Sequence, residues 1–179
     1  AEYFERTIER FQAIGNSRAV MRQLGNLAFL HYSRGNWDQA NTLYNDALER
    51  SRELEDPHSL VFNLIRLSKL KIDQGQFDDA RMLNSEAAMI LESHDNDRMR
   101  WFLLKNVGTL QLARGAHREA VETFEAQLAM ENASDNIRAF HTSQASLARS
   151  KFEIGDTRTA EMLATAIIEA PESEGEMAR

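Results

Sequence analysis

Residues 34–40 read RGNWDQA, and the same spacing of a glycine and an alanine returns every 40 residues. The later copies read QGQFDDA at 74–80, RGAHREA at 114–120 and IGDTRTA at 154–160. A glycine tolerates the left-handed backbone that ends a helix, and a small residue five positions later lets two helices approach closely. The heptapeptide therefore predicts a joint between two helices in each of four repeats.

We expect these joints to be structural rather than catalytic. In each joint the glycine ends the first helix, the alanine lies at the helix contact, and an aromatic residue, where one is present, fills the wedge. The predicted joint residues are Gly35, Trp37, Ala40, Gly75, Phe77, Ala80, Gly115, Ala120, Gly155 and Ala160. In the first joint, Asn36 is also placed to cap the second helix.

An Asn or Asp residue precedes the first helix of each repeat. The four are Asn16, Asp56, Asn96 and Asn136, and Pro57 follows the second of them. Short side chains of this kind accept hydrogen bonds from the free N–H groups of a helix start, and proline suits the first helical position. The predicted helices span residues 17–34, 37–54, 57–74, 77–93, 97–114, 117–132, 137–154 and 157–170.

The first fifteen residues fit the same 40-residue grid as a second helix without its first. This unpaired half repeat indicates a segment of a longer array. A pair of helices cannot bury its apolar face alone, so the repeats must stack. We predict one superhelical domain over 1–170 and a polar tail or linker over 171–179. Its predicted divisions are 1–15, 16–55, 56–95, 96–135 and 136–170.

Composition narrows the class of protein. Of 179 residues, 42% are apolar and only 2 are proline, as expected for a helical globular chain. A net charge of -7 argues against direct nucleic-acid binding, because affinity for phosphates comes from clustered cations. The longest apolar run, at 87–91, is far shorter than the roughly 20 residues needed to cross a bilayer. With no cysteine and no secretion signal, we expect a cytoplasmic protein without membrane contact.

Patterns that indicate catalysis or a cofactor are missing from the sequence. No two histidines lie four residues apart, and neither HExxH, GxxxxGK nor GxGxxG occurs. Paired carboxylates stand at helix starts, where they favour the helix dipole. We therefore expect no catalytic residue, no metal site, no cofactor and no enzymatic activity.

The chain resembles the tetratricopeptide repeat family over residues 1–170. The first two full repeats carry the matching residues, namely Leu27, Ala28, Gly35, Trp37, Ala40, Tyr44 and Ala47, then Leu67, Gly75, Phe77, Ala80 and Ala87. The resemblance implies an all-α fold, a right-handed α-solenoid of antiparallel helix pairs with four full repeats and one leading half repeat. The 40-residue period is similar to the lengthened repeat of regulatory members, including bacterial transcription activators and sensor proteins.

The resemblance also implies that the first helix of each repeat lines a concave groove. One stripe of each such helix, at i, i+4, i+7 and i+11, should face inward. With their neighbours, these stripes give the predicted groove residues Arg22, Asn26, Phe29, Tyr32, Phe62, Arg66, Lys69, Phe102, Lys105, Asn106, Arg149 and Phe152. Aromatic anchors beside cations predict a protein or peptide partner with apolar and acidic residues.

The leading hypothesis is a non-enzymatic protein- or peptide-binding module, the regulatory or sensor part of a larger bacterial signalling or transcription protein. A second hypothesis is an assembly scaffold that forms a homo-oligomer through the ends of the array. A third is a sensor domain for a small peptide or small molecule. The sequence leaves all three open.

Overall fold

The computed structural model describes residues 1–130 and 137–169, with the side chain of residue 137 excepted. Within these ranges the chain forms nine α-helices and no β-strand. They are α1 (Glu2–Ala13), α2 (Ser17–Ser33), α3 (Trp37–Glu53), α4 (Pro57–Asp73), α5 (Phe77–Ser93), α6 (Asp97–Ala113), α7 (His117–Leu128), α8 (Ile137–Glu153) and α9 (Thr157–Glu169). In this part of the chain no helix is long and apolar enough to cross a membrane.

The four predicted joints share one backbone conformation. Their glycines are left-handed, with φ of 77° at Gly35, 73° at Gly75, 77° at Gly115 and 87° at Gly155. The N–H of Gly35 donates to the carbonyl of Tyr32 at 3.0 Å, and the next N–H donates to the carbonyl of His31 at 2.9 Å. This pair of bonds closes a helix C-terminus, and equivalent pairs recur at the other three glycines. The glycine prediction is confirmed.

Side-chain caps hold the starts of the first helices. Asn16, Asp56 and Asn96 each accept a hydrogen bond at 3.0 Å from the backbone N–H three residues later. These three caps confirm the prediction, whereas Asn136 lies outside the described residues. The cap expected from Asn36 on α3 is wrong, because its side chain makes no cap bond and lies 3.4 Å from the imidazole of His31.

The two helices of a repeat pack with a small residue on the first helix against a larger residue on the second. Ala28 shares the main core cluster with Tyr44, and a Cβ atom on Gly108 would lie only 2.8 Å from the ring of Phe124. The joint alanines Ala40, Ala80 and Ala120 are fully buried, and Ala160 is nearly so. Trp37 instead remains 39% exposed, so it covers the edge of the first joint and does not fill it.

The helices form two layers. Helices α2, α4, α6 and α8 each approach the backbone of the next member of that set. Among the described residues the backbones of α3, α5, α7 and α9 stay farther apart, with α3 and α5 joined by the ion pair of Arg52 and Glu86 at 2.7 Å. Successive repeats are therefore closest together along the first set, which places it on the inside of the curve. We call α2, α4, α6 and α8 the inner layer, and α1, α3, α5, α7 and α9 the outer layer. The fold is an α-solenoid of antiparallel helix pairs.

Candidate partner-binding groove

Arg66 stands between two aromatic rings on the inner layer. Its guanidinium carbon lies 4.3 Å from the ring centroid of Phe29 on α2 and 4.2 Å from that of Phe62 on α4. Phe62 precedes Arg66 by one helical turn, whereas Phe29 comes from the preceding repeat, so stacking of the repeats completes the arrangement. Guanidinium groups stack well on aromatic faces, and their edges stay available for hydrogen bonds.

One edge of this guanidinium has unused hydrogen-bonding capacity. Nη1 of Arg66 is buried and has no hydrogen-bond partner within the described chain. The guanidinium also acts on Tyr44 of the outer layer: burial raises the pKa of Tyr44, and the positive charge of Arg66 and a hydrogen bond with its side chain oppose that rise. A buried, unpartnered N–H group carries a desolvation cost that a bound acceptor would relieve.

Tyr32 and Lys69 share a carboxylate beside Arg66. The Tyr32 hydroxyl donates to Oδ2 of Asp73 at 2.6 Å, and Lys69 Nζ donates to Oδ1 of the same residue at 2.5 Å. Burial raises the pKa of Tyr32, and the Asp73 carboxylate adds to the rise, so the phenol stays protonated. Because Tyr32 is on α2 and the other two are on α4, this network also joins two repeats.

Lys105 provides a third cation on α6. Its Nζ lies 5.9 Å from the ring centroid of Trp101 and 3.5 Å from the backbone carbonyl of Ala139. Burial lowers the pKa of Lys105, and the positive charge of Lys69 lowers it further. Trp101 is only 1% exposed and packs edge-on against Phe102, so the lysine rests on a rigid aromatic support.

These residues form one surface, which we call the central groove cluster. It consists of Phe29, Tyr32, Phe62, Arg66, Lys69, Asp73, Trp101 and Lys105. Within it three cations face one carboxylate, so the cluster is positive although the whole chain has a net charge of -7. Such a surface attracts and orients acidic ligands.

The groove continues toward α2 as a shallow pocket of about 280 Å³. Arg22, Asn26 and Phe62, all predicted from the sequence, line it together with His58 and Met99. The pocket adds another cation and an amide to the surface next to Arg66. Its volume is suited to one or two side chains of a bound segment.

The other predicted groove residues are placed differently. Asn106 is buried, and its Nδ2 donates to the backbone carbonyl of Ile65 at 2.6 Å. Its side chain therefore joins α6 to α4 and is not presented to a ligand. Arg149 and Phe152 are exposed on α8, and Phe102 is half-buried on α6.

Three contacts of this site were not expected from the sequence. Asp73 ends the inward stripe of α4, but only the packing shows that it binds both Tyr32 and Lys69. Trp101 lies one turn before Lys105, a spacing that could have indicated their contact. Tyr44 belongs to the outer layer, where no inward stripe was expected, and nothing in the pattern links it to Arg66.

Comparisons with known proteins agree with this fold. Residues 19–93 match the family model of the tetratricopeptide repeat. No curated protein matches the chain significantly.

Several solved structures superpose on nearly the whole chain. BtubC (BKLC) from P. vanneervenii has a TM-score of 0.78 at 18% identity, over 92% of this chain and 69% of that chain. The nearly identical TPR-like repeats from Podosopora anserina, described as a kinesin light chain, have a TM-score of 0.62 at 16% identity, over 93% and 92%. The MamA RS-1 ArsTM double mutant has a TM-score of 0.58 at 14% identity, over 94% and 92%.

At such identities the superpositions show the fold alone. The family match covers the first two full repeats, and the same helix pair recurs on both sides of them with the same left-handed glycines. Residues 19–93 therefore resemble tetratricopeptide repeats, and the helix pairs on both sides of them continue the same architecture.

Proposed function

We propose that the concave groove binds a protein or peptide segment that carries acidic and apolar residues. Tetratricopeptide repeats mediate protein–protein binding, and members of the family are generally non-catalytic. The central groove cluster supplies cations for carboxylates and aromatic faces for apolar side chains. A segment that alternates the two kinds of residue would match this surface.

The observation that carries the proposal is the position of Arg66. A guanidinium held between Phe29 and Phe62 is fixed before a ligand arrives, so little side-chain entropy is lost on binding. Its positive charge is available to pair with an acidic side chain. Lys69 is already engaged with Asp73, so Arg66 and Lys105 are expected to contribute the stronger contacts.

A labelled peptide of alternating glutamate and leucine tests the proposal by fluorescence anisotropy. Lys69→Glu and Lys105→Glu should each weaken its binding at least about tenfold, because each change replaces an attraction by a repulsion. A matched peptide with glutamine in place of glutamate should bind the unmodified protein weakly. Circular dichroism of each variant should show unchanged helicity.

The control for total charge is Arg118→Glu. Arg118 is exposed on α7 of the outer layer, so this variant has the same net charge as the two groove variants. It should bind the glutamate–leucine peptide as the unmodified chain does. If all variants bind the peptide with the affinity of the unmodified protein, the groove assignment is refuted. If all of them lose affinity equally, the loss is an effect of net charge and not of the groove.

We also propose that binding regulates a larger bacterial signalling or transcription protein. The resemblance of the 40-residue period to regulatory family members supports this role. A ligand spanning α2, α4 and α6 would favour one curvature of the stacked repeats, and an attached domain could respond to that change. Small-angle scattering with and without the glutamate–leucine peptide should show a change in radius of gyration. An unchanged scattering profile at saturation would contradict this mechanism.

End-to-end assembly is a second candidate, favoured by exposed apolar residues at both ends of the described array. Tyr3 and Ile14 are exposed on and after α1, and Met162 and Ile168 are exposed on α9. Large exposed apolar side chains at a terminus can bury themselves against another molecule. Light scattering over a range of concentrations would show mass rising with concentration, whereas a constant monomer mass would exclude this candidate.

A further inference from the structure

A notch opens in the outer face of the solenoid between α5, α6 and α7. It is lined by Asn84, which occupies the repeat position held by Tyr44 one repeat earlier and by Phe124 one repeat later. Tyr44 and Phe124 are fully buried and fill the space beside the inner layer. Beside the shorter Asn84 lies a cavity of about 500 Å³, within the size range of small-ligand pockets.

Two polar groups in the notch have no partner. Asn84 is 5% exposed; its Oδ1 accepts a hydrogen bond from the Ser68 hydroxyl at 2.6 Å, but its Nδ2 has no partner among the described residues. Gln111 also lines the cavity, and its buried Oε1 is likewise unsatisfied in this part of the chain. The notch thus offers one free donor and one free acceptor. Each carries a desolvation cost as long as it is buried without a hydrogen bond.

The remaining lining supplies an apolar floor and a charged rim. Val107 and Leu110 form part of the floor. Arg81 and Arg114 stand at the rim, and their contacts with the highly exposed Asp78 are long, at 4.0 Å and 3.9 Å. Such exposed and distant ion pairs contribute little, so the guanidinium groups can turn toward a bound carboxylate, for which the Glu119 carboxylate on the same rim is a competitor.

We propose that this notch binds a primary carboxamide that is carried close to a carboxylate, as in a glutamine residue of an acidic peptide. The carboxamide oxygen accepts from Nδ2 of Asn84, and the carboxamide nitrogen donates to Oε1 of Gln111. The nearby carboxylate pairs with Arg81 or Arg114. This site lies on the outer face, so it is independent of the concave groove.

The equivalent groove one repeat earlier shows why the site is local. A cavity of about 630 Å³ is present there too, but Tyr44 stands in the place of Asn84 and Lys71 in the place of Gln111. Lys71 Nζ donates to Oε1 of Gln76 at 2.9 Å and has no acceptor to offer. The paired donor and acceptor therefore depend on two residues that the neighbouring repeat replaces.

N-acetylglutamine is a suitable probe, because it carries a primary carboxamide and a free carboxylate. We expect it to bind in the millimolar range and to shift the side-chain NH₂ resonances of Asn84 and Gln111 in nuclear magnetic resonance spectra. N-acetylnorleucine has an apolar side chain in place of the carboxamide. It should bind at least about tenfold more weakly, because it can form neither hydrogen bond.

Two substitutions test the assigned groups. Asn84→Phe removes the Nδ2 donor, introduces the residue found at position 124 and should abolish N-acetylglutamine binding. Gln111→Leu leaves the cavity open but removes the acceptor, and it should weaken binding about fivefold. This second variant keeps the test valid if Asn84→Phe does not fold.

Asn45→Leu is the matched control, since it makes an amide-to-leucine change in the equivalent groove of the preceding repeat. It should leave N-acetylglutamine binding unchanged. Equal binding of the two probes, retained binding in a folded Asn84→Phe variant, or no ligand-induced shift would each overturn the proposal. The last result would mean that the notch holds water only.

Discussion

The joints and the inner faces of the solenoid differ in how strictly they repeat. Left-handed glycines recur at 35, 75, 115 and 155 with φ within a narrow range. At the same 40-residue spacing on the inner layer stand Phe29, Lys69, Thr109 and Arg149. The joints need the same backbone conformation in every repeat, so their glycines recur. A surface that contacts an irregular ligand can carry a different residue in each repeat. The comparison separates residues that maintain the fold from residues available for binding.

The largest expected effect is at a joint. Gly35→Val places a β-branched residue in left-handed backbone and should lower the free energy of unfolding by about 2 kcal/mol. Urea denaturation followed by circular dichroism measures the change. Gly35→Asn is the control. Its free energy of unfolding should fall less, because asparagine tolerates the left-handed conformation. A Gly35→Val variant with unchanged stability but lost peptide binding would show that the joint belongs to the site.

A second prediction tests Asn106, a predicted groove residue that the structure assigns to the fold. Asn106→Leu removes the hydrogen bond to the buried carbonyl of Ile65 and should cost roughly 1.5 kcal/mol of unfolding free energy. Affinity for the glutamate–leucine peptide, measured on the folded protein, should change little. A large loss of peptide affinity at unchanged stability would show that Asn106 contacts the peptide.

A third prediction concerns pH. Because burial and Lys69 lower the pKa of Lys105, its amine loses its proton at a lower pH than an ordinary lysine, whose pKa is about 10.4. Peptide affinity should therefore fall, by about two- to fivefold, as the pH rises through the alkaline range below that value. Anisotropy titrations at several pH values measure this. Lys105→Arg stays charged and should remove the decline; a decline of the same size in that variant would assign it to another group.

The smallest expected effect is at a turn between repeats. Glu55 has φ of 49°, whereas the corresponding residue 40 positions earlier is Gly15, with φ of 69°. Glu55→Gly should relieve the strain and raise the free energy of unfolding by about 0.5–1 kcal/mol. Thermal melts would measure the gain. A lower melting temperature would mean that the added entropy of the unfolded chain exceeds the relief of strain.

Much of the fold could be predicted because its determinants are local. A left-handed glycine, an Asn or Asp cap and a first-turn proline each act within a few residues, so the helix bounds followed from the sequence to within a residue or two over most of the described chain. The expected cap at Asn36 failed because a cap depends on side-chain orientation as well as residue type. The predicted helix at 117–132 is too long, because α7 ends at Leu128 and residues 129 and 130 are no longer helical; residues 131 and 132 lie outside the described ranges.

The contacts of the groove were less predictable because they join different repeats. Arg66 was expected on the inner surface, but its contact with Phe29 depends on the stacking of α2 on α4. Similarly, the bond from Asn106 to Ile65 requires a particular alignment of α6 and α4. A periodic pattern indicates which face of a helix points inward, but it does not fix the depth of each side chain or its partner.

The most direct test of the account is to map where the glutamate–leucine peptide perturbs amide resonances of the protein. We predict shifts at Phe29, Arg66 and Lys105 on the inner layer, with the resonances of Gly35, Gly75 and Gly115 nearly unchanged. Shifts centred on those glycines or on the outer layer, with the inner residues unaffected, would contradict the assignment of binding to the concave groove.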